Sequence, residues 1–199
     1  MKGMTAEMKH KTTLIVRGGG DLASGVIHRL YKCGYQVLVL ECAKPSAIRR
    51  RVSFGEAVYD GTSRVEGVTG RLIKDISECR KVWDEKEIPI LVDENADAVS
   101  ELKPDALIDA ILAKKNLGTT RMMAPLTIGL GPGFTARVDV DYVVETQRGH
   151  NLARVIEKGT AAPNTGIPGM IAGYGKERVI HSPAAGMIHN YSEIGDIVE

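Results

Sequence analysis

Aromatic residues are scarce in this chain, 5% of 199 positions with a single Trp, so stacking on bases or sugars is not its theme. Cysteine is scarce too. Cys33, Cys42 and Cys79 are an odd number with no Cys-x-x-Cys spacing, which argues against a disulfide framework or a structural zinc site and fits a reducing compartment. No apolar run reaches 18 residues, and the opening MKGMTAEMKHK lacks the apolar stretch of a secretion signal. The reading is a cytoplasmic protein without a membrane span. Charge of one sign is missing as well: 26 Lys and Arg face 25 Asp and Glu, which gives no reason to expect nucleic acid or an anionic membrane as a partner. The chain has no Gly-x-Ser-x-Gly elbow, no P-loop and no Tyr-x-x-x-Lys pair. Tyr174 and Lys176 are wrongly spaced for one helix face. His10, His181 and His189 have no acidic or cysteine partner at ligand spacing, so no metal site is expected. His28 falls beside Arg29, on the exposed side of the first helix.

What the chain has in excess is glycine, 22 residues, gathered at the ends of apolar runs where tight turns and close backbone approaches are made. Residues 12–17 read as a buried strand and 21–33 as a helix, with Leu22, Val26 and Leu30 recurring and Ala23 and Ile27 widening that face. Gly34 stops the helix. Residues 35–41, YQVLVLE, read as a second strand, apolar as buried parallel strands are. Short helical pieces follow around Arg49, Arg50 and Arg51. VEGVTGRLI reads as either strand or loop. A helical pattern over 76–87, a strand at 89–94, a helix in ADAVSELK and a strand at 105–112 continue the alternation. The pattern is an open α/β fold, Rossmann-like, with a mostly parallel sheet, flanking helices and a smaller β-rich C-terminal region. The texture changes near residue 116, which suggests a nucleotide-binding domain over 1–118 and a glycine-rich, β-rich domain over 119–199.

Gly18, Gly19 and Gly20 with Ala23 match the G-x-G-x-x-G/A fingerprint, placed between a strand and a helix start. The first glycine allows the turn, Gly20 lets a pyrophosphate approach the backbone, and Ala23 lets helix and strand pack closely. Asp21 reads as an N-cap that weakens the anion site by its charge. Glu41 lies at the end of the second strand, where an acid accepts from a ribose diol. Arg49 and Arg50 follow where a 2′-phosphate would be held, or form a solvated basic turn, so NAD-like and NADP-like recognition both stand open. The simpler reading is a tight strand–helix connection with Glu41 solvated.

Gly129, Gly131 and Gly133 with Pro132 form a second glycine turn, a candidate anion nest. Glu145, Arg148 and His150 follow and would share a site if the turn brought them together. Otherwise the region is a hairpin with a charged turn. Cys42 is either a thiolate able to handle sulfur or selenium or a structural cysteine. No catalytic constellation emerges.

VRGGGDLASGV, RRRVSFGEAVYDG, EGVTGRLI, ILVDE, DALIDAILAKKN, TIGLGPGFTA, VVETQRGHNLARVI and PNTGIPGMIAGYGKERVIHSPAAG together resemble the accessory-protein family of the selenium-dependent molybdenum hydroxylase system. The resemblance runs from about Leu14 onward. One departure is Arg137, where a glycine is expected after GFTA. The resemblance implies a role in maturing an enzyme similar to xanthine dehydrogenase, with the hydroxylase apoenzyme as partner. It carries no catalytic residues to this chain, only the fingerprint at Gly18, Gly20 and Ala23 and the Glu145–Arg148–His150 region. Joined to the glycine motif, it points to molybdopterin cytosine dinucleotide as ligand. An NAD(P)-dependent oxidoreductase and a nucleotide-free docking scaffold are the competing readings, and a homo-oligomer stays open. The tail SPAAGMIHNYSEIGDIVE is similar to the start of a biotinyl/lipoyl-type barrel-sandwich, which needs further strands after Glu199, so the chain reads as truncated. It lacks the modified lysine of a swinging arm.

Overall fold

The computed structural model describes residues 11–186 and 188–198; His10 lies outside them. The apolar run before the glycines is strand β1 (Thr13–Arg17), buried along its length, and the amphipathic segment after them is helix α1 (Asp21–Lys32). Its buried face is Ala23, Ser24 and Ile27, while Leu22 is 52% exposed. The inward stripe is therefore rotated by about one residue from the one the leucines suggest. Gly34 closes the helix with a φ of +91°, a value that favours glycine. Strand β2 (Gln36–Glu41) returns parallel to β1, completing a βαβ unit.

Two short 3-10 turns lead into helix α2 (Ala57–Asp60). VEGVTGRLI then resolves into the antiparallel hairpin of β3 (Thr62–Val65) and β4 (Val68–Ile73). Glu66 and Gly67 between them both have positive φ, 48° and 81°, as a two-residue turn matched to strand twist requires. Helix α3 (Cys79–Asp84), strand β5 (Ile88–Val92), helix α4 (Ala98–Leu102) and strand β6 (Ala106–Asp109) continue the alternation.

The sheet does not end at residue 118. Strand β7 (Leu126–Leu130) pairs parallel with β6. After the short β8 (Thr135–Ala136), strand β9 (Tyr142–Val144) pairs parallel with β7, and β10 (Val155–Ile156) pairs antiparallel with β9. Strand β11 (Gly159–Thr160) pairs with β8 in a small separate sheet. The main sheet runs β10-β9-β7-β6-β1-β2-β5-β4-β3 among the described residues. With the β3–β4 hairpin set aside, the parallel strands follow the doubly wound order 3-2-1-4-5-6, whose switch point lies between β1 and β6. Leu14, Val16, Ile27, Val39, Phe54 and Ile108 pack on one sheet face. Ile15, Leu38, Cys79, Val82 and Leu107 pack on the other.

The expected division at 118 and 119 therefore cuts through one sheet, because the strands after it complete the face begun by β6. The chain divides instead after Pro163. From Asn164 onward the described residues hold one isolated bridge, Ile171 with Tyr174, and one 3-10 turn, Lys176–Arg178. No strand of a barrel-sandwich occurs among them. Arg178 ties this segment locally by donating to the carbonyls of Gly169, at 2.6 Å, and Tyr174. No helix among the described residues is long and apolar enough to cross a membrane.

Candidate functional site

The glycine turn sits at the carboxyl ends of β1 and β2, beside the switch point. Its conformation is over-determined. The Gly18 N–H donates to the Leu40 carbonyl at 2.7 Å. The Gly19 N–H donates to Glu41 Oε2 at 2.6 Å. The Gly19 carbonyl accepts from Ser53 Oγ at 2.8 Å, Ser24 Oγ at 3.1 Å and the Gly55 N–H at 2.8 Å. Ser24 Oγ accepts in turn from the Phe54 N–H. Residues 53–55 thus fold back onto the turn. The contact is close enough that a methyl group at Gly19 would sit 2.8 Å from the Gly55 nitrogen.

This grip decides where the next amide points. A trans peptide is planar, with C=O and N–H on opposite sides. The Gly19 carbonyl points inward to three donors, so the Gly20 N–H points away from them. A Cβ at Gly20 would meet nothing within 4 Å. Gly20 is the N-cap of α1, with φ of −63° and no side-chain cap. Asp21 is therefore the first helical residue and not the cap. Leu22 donates to the Asp21 carboxylate, and Ser24 to the Gly20 carbonyl. Among the described residues, none accepts from the N–H groups of Gly20, Asp21 or Ala23. These three donors, with the positive end of the helix dipole, make an anion-binding arrangement.

Asp21 adds a negative charge here, but its carboxylate is ion-paired to Arg49. The arginine side chain is largely exposed and the aspartate partly so, which screens the pair and limits its stability, yet it places a guanidinium at the mouth of the turn. Arg50 faces Glu56 at 3.8 Å. Glu41 is at the end of β2 as expected, but its carboxylate points into the turn, with Oε1 taking the Cys42 N–H at 2.8 Å.

The other candidates take different roles. Burial pushes the Cys42 thiol above its ordinary pKa; the Lys44 amide opposes this, and Glu41 and Glu94 add to it. That is the wrong direction for a resting thiolate. Buried Cys79 is pushed up to about 12, mainly by burial.

At the second glycine turn the Gly131 N–H is engaged by the Val144 carbonyl at 2.8 Å. A methyl at Gly129 would lie 2.5 Å from the Phe134 ring, one at Gly131 2.6 Å from Thr146 Oγ1, and one at Gly133 2.7 Å from the Lys115 backbone. These glycines serve close packing, and the Gly131 N–H is not free to join an anion nest.

Glu145 is 6% exposed and turned inward. Burial pushes its carboxyl up, but hydrogen bonds from the backbone N–H groups of Ala162, Gln147 and Thr146 outweigh that and hold it below the usual carboxylate range. Arg148 and His150 are exposed, and no hydrogen bond or ion pair joins them to Glu145. The three do not form one site because the buried acid clamps backbone while the turn carries its neighbours outward. Among the described residues no group of three or more His, Cys, Asp or Glu could hold a metal ion.

Two features were not anticipated. One is the Ser24–Ser53–Gly55 grip; Ser24, a polar residue on the buried face of α1, was the available signal. The other is the buried cluster of Arg17, Asp109 and Thr119. Arg17 donates to Thr119 Oγ1 at 2.6 Å and to the Glu94 carbonyl at 2.9 Å, and lies 3.6 Å from Asp109. Thr119 donates to Asp109 at 2.6 Å. An arginine closing a buried strand needs such partners. They pin the loop after β6 to the end of β1.

Comparison with known proteins adds one relative. The chain is 50% identical over 186 residues to an Escherichia coli (strain K12) protein described as "Uncharacterized protein YqeB". The match covers 94% of this chain and 34% of the relative, so the chain spans about a third of the length of the curated relative it matches. No family model matches the chain. No solved structure matches it.

Proposed function

We propose that this chain is a non-catalytic accessory protein in the maturation of a selenium-dependent molybdenum hydroxylase, and that it binds a dinucleotide through the turn at Gly18, Gly19 and Gly20. Molybdopterin cytosine dinucleotide is the candidate ligand. The observation that carries the binding half is the set of unpartnered N–H groups at Gly20, Asp21 and Ala23, held outward by the grip on the Gly19 carbonyl. A pyrophosphate is the group such an arrangement suits. Arg49 stands beside it as a charge partner. The hydroxylase half rests on the resemblance carried by the RGH and NTGIPG segments. The Ser24 and Ser53 hydroxyls beside the turn are spent on the Gly19 carbonyl, which supports carriage over hydride transfer.

Calorimetric titration of NAD(H), NADP(H), CTP and molybdopterin cytosine dinucleotide tests this, each repeated with Gly20→Val. Valine at an open position with φ of −63° is accommodated in the fold, so the variant covers the amides without disrupting the turn. The proposal expects the pterin dinucleotide to bind tightest and the variant to lose it. A preference for a nicotinamide cofactor would turn the reading toward an oxidoreductase. No binding at all would leave the glycines a structural turn.

A further inference from the structure

From the surroundings of Glu41 we infer that this acid positions the glycine turn and does not read the ribose, so that the nucleotide site does not distinguish ribose from 2′-deoxyribose. The inference rests on the nucleotide reading above. An acid at the end of the second strand recognises a ribose by offering its oxygens to the diol. Here both oxygens are engaged by backbone: Oε2 by the Gly19 N–H at 2.6 Å and Oε1 by the Cys42 N–H at 2.8 Å.

The approach is also filled. Residues 53–55 lie against the turn, with Ser53 and Phe54 fully buried. A methyl group built on Gly55 would be 3.0 Å from Oε2, and one on Gly19 would be 3.3 Å from it. A sugar reaching Oε2 from that side would have to displace a segment held by the Ser53 Oγ and Gly55 N–H bonds to the Gly19 carbonyl, both 2.8 Å.

Glu41 thus acts through the turn. By holding the Gly19 N–H it fixes the Gly18–Gly19 peptide, and so the placement of Gly19, from which the next peptide, gripped at the Gly19 carbonyl, presents the Gly20 N–H to phosphate. Specificity then falls to the phosphate groups and to whatever lies beyond them, not to the 2′-hydroxyl.

The test is calorimetry with CTP and 2′-deoxy-CTP on the wild type and Glu41→Gln, together with amide hydrogen exchange on the ligand-free proteins. The two nucleotides are expected to bind the wild type within about twofold of each other. Glu41→Gln is expected to weaken both by about tenfold, the scale of one lost hydrogen bond to a charged group, without creating a preference. Gly19 exchange is expected to quicken at least about tenfold in the variant while Val16 in β1 keeps its protection. A wild type that binds CTP tenfold or more tightly than its deoxy form, with the preference erased in Glu41→Gln, would overturn the inference. So would unchanged exchange at Gly19. If neither nucleotide binds, the specificity falls together with the nucleotide reading, and the exchange result alone decides whether Glu41 holds the turn.

Discussion

The chain makes two glycine turns at the ends of parallel strands of one sheet, β1 and β7 with β6 between them, and they are alike in sequence and opposite in use. At residues 18–20 the turn is gripped from below. Gly19 is locked, and Gly20 faces open space with its N–H unengaged by the described residues. At residues 129–133 the glycines pack against Phe134, Thr146 and the Lys115 backbone, and the Gly131 N–H is taken by the Val144 carbonyl. The lesson is that glycine spacing marks where backbone comes close to something. Which N–H groups remain without a partner decides whether that something is a ligand or the protein itself.

The comparison can be broken by substitution. Gly133→Ala should have the largest effect, because it combines a φ of +115° with a backbone clash; about 2–4 kcal/mol of stability should be lost, read from denaturant midpoints at constant slope. Gly19→Ala should cost about 1–3 kcal/mol by overpacking against Gly55. A tolerated Gly133→Ala would show that the second turn is looser than described.

Glu145 sharpens the contrast, since it holds the segment after the second turn. Its native pKa is lowered, so its stabilisation is complete above the unfolded carboxylate range and is lost as pH falls through the native value. Glu145→Gln should cost about 1–2 kcal/mol at neutral pH and nothing at a pH where the wild-type carboxyl is protonated. Parallel pH–stability curves for the two proteins would contradict the clamp. Arg137→Gly should have the smallest effect. Arg137 has a φ of +70° and stacks over Tyr142 at 4.8 Å. Relief of the left-handed backbone and loss of that exposed contact should leave stability within about 1 kcal/mol, measured by the same melts. The positive φ also gives the physical reason a glycine is expected at this position.

Much of the fold was legible because it is local. A run of apolar residues, a glycine turn and a helical period within thirty residues specify β1, α1 and β2 almost unaided. The end of the sheet was not legible. Strands β7 and β9 carry no signal that they extend the sheet, β7 beside β6 and β9 beside β7, and the change of texture near residue 116 records the loss of helices from the crossovers, not the end of a domain. Glu41 was visible as an acid at the end of a strand, yet its partner was not. The return of residues 53–55 onto Gly19 is a tertiary contact thirty-four residues distant from the turn by its Ser53 bond. Glu145, Arg148 and His150 are close in sequence, yet the first is buried while the turn leaves the other two exposed.

The central claim is that the first glycine turn receives an anion and the second does not. The most direct measurement follows backbone amide resonances during titration with inorganic pyrophosphate. The account predicts saturable shifts at Gly20, Asp21 and Ala23, absent in Gly20→Val, with Gly131 and Gly133 unmoved. Shifts confined to Gly131 and Gly133, or none at Gly20 at saturating pyrophosphate, would contradict it.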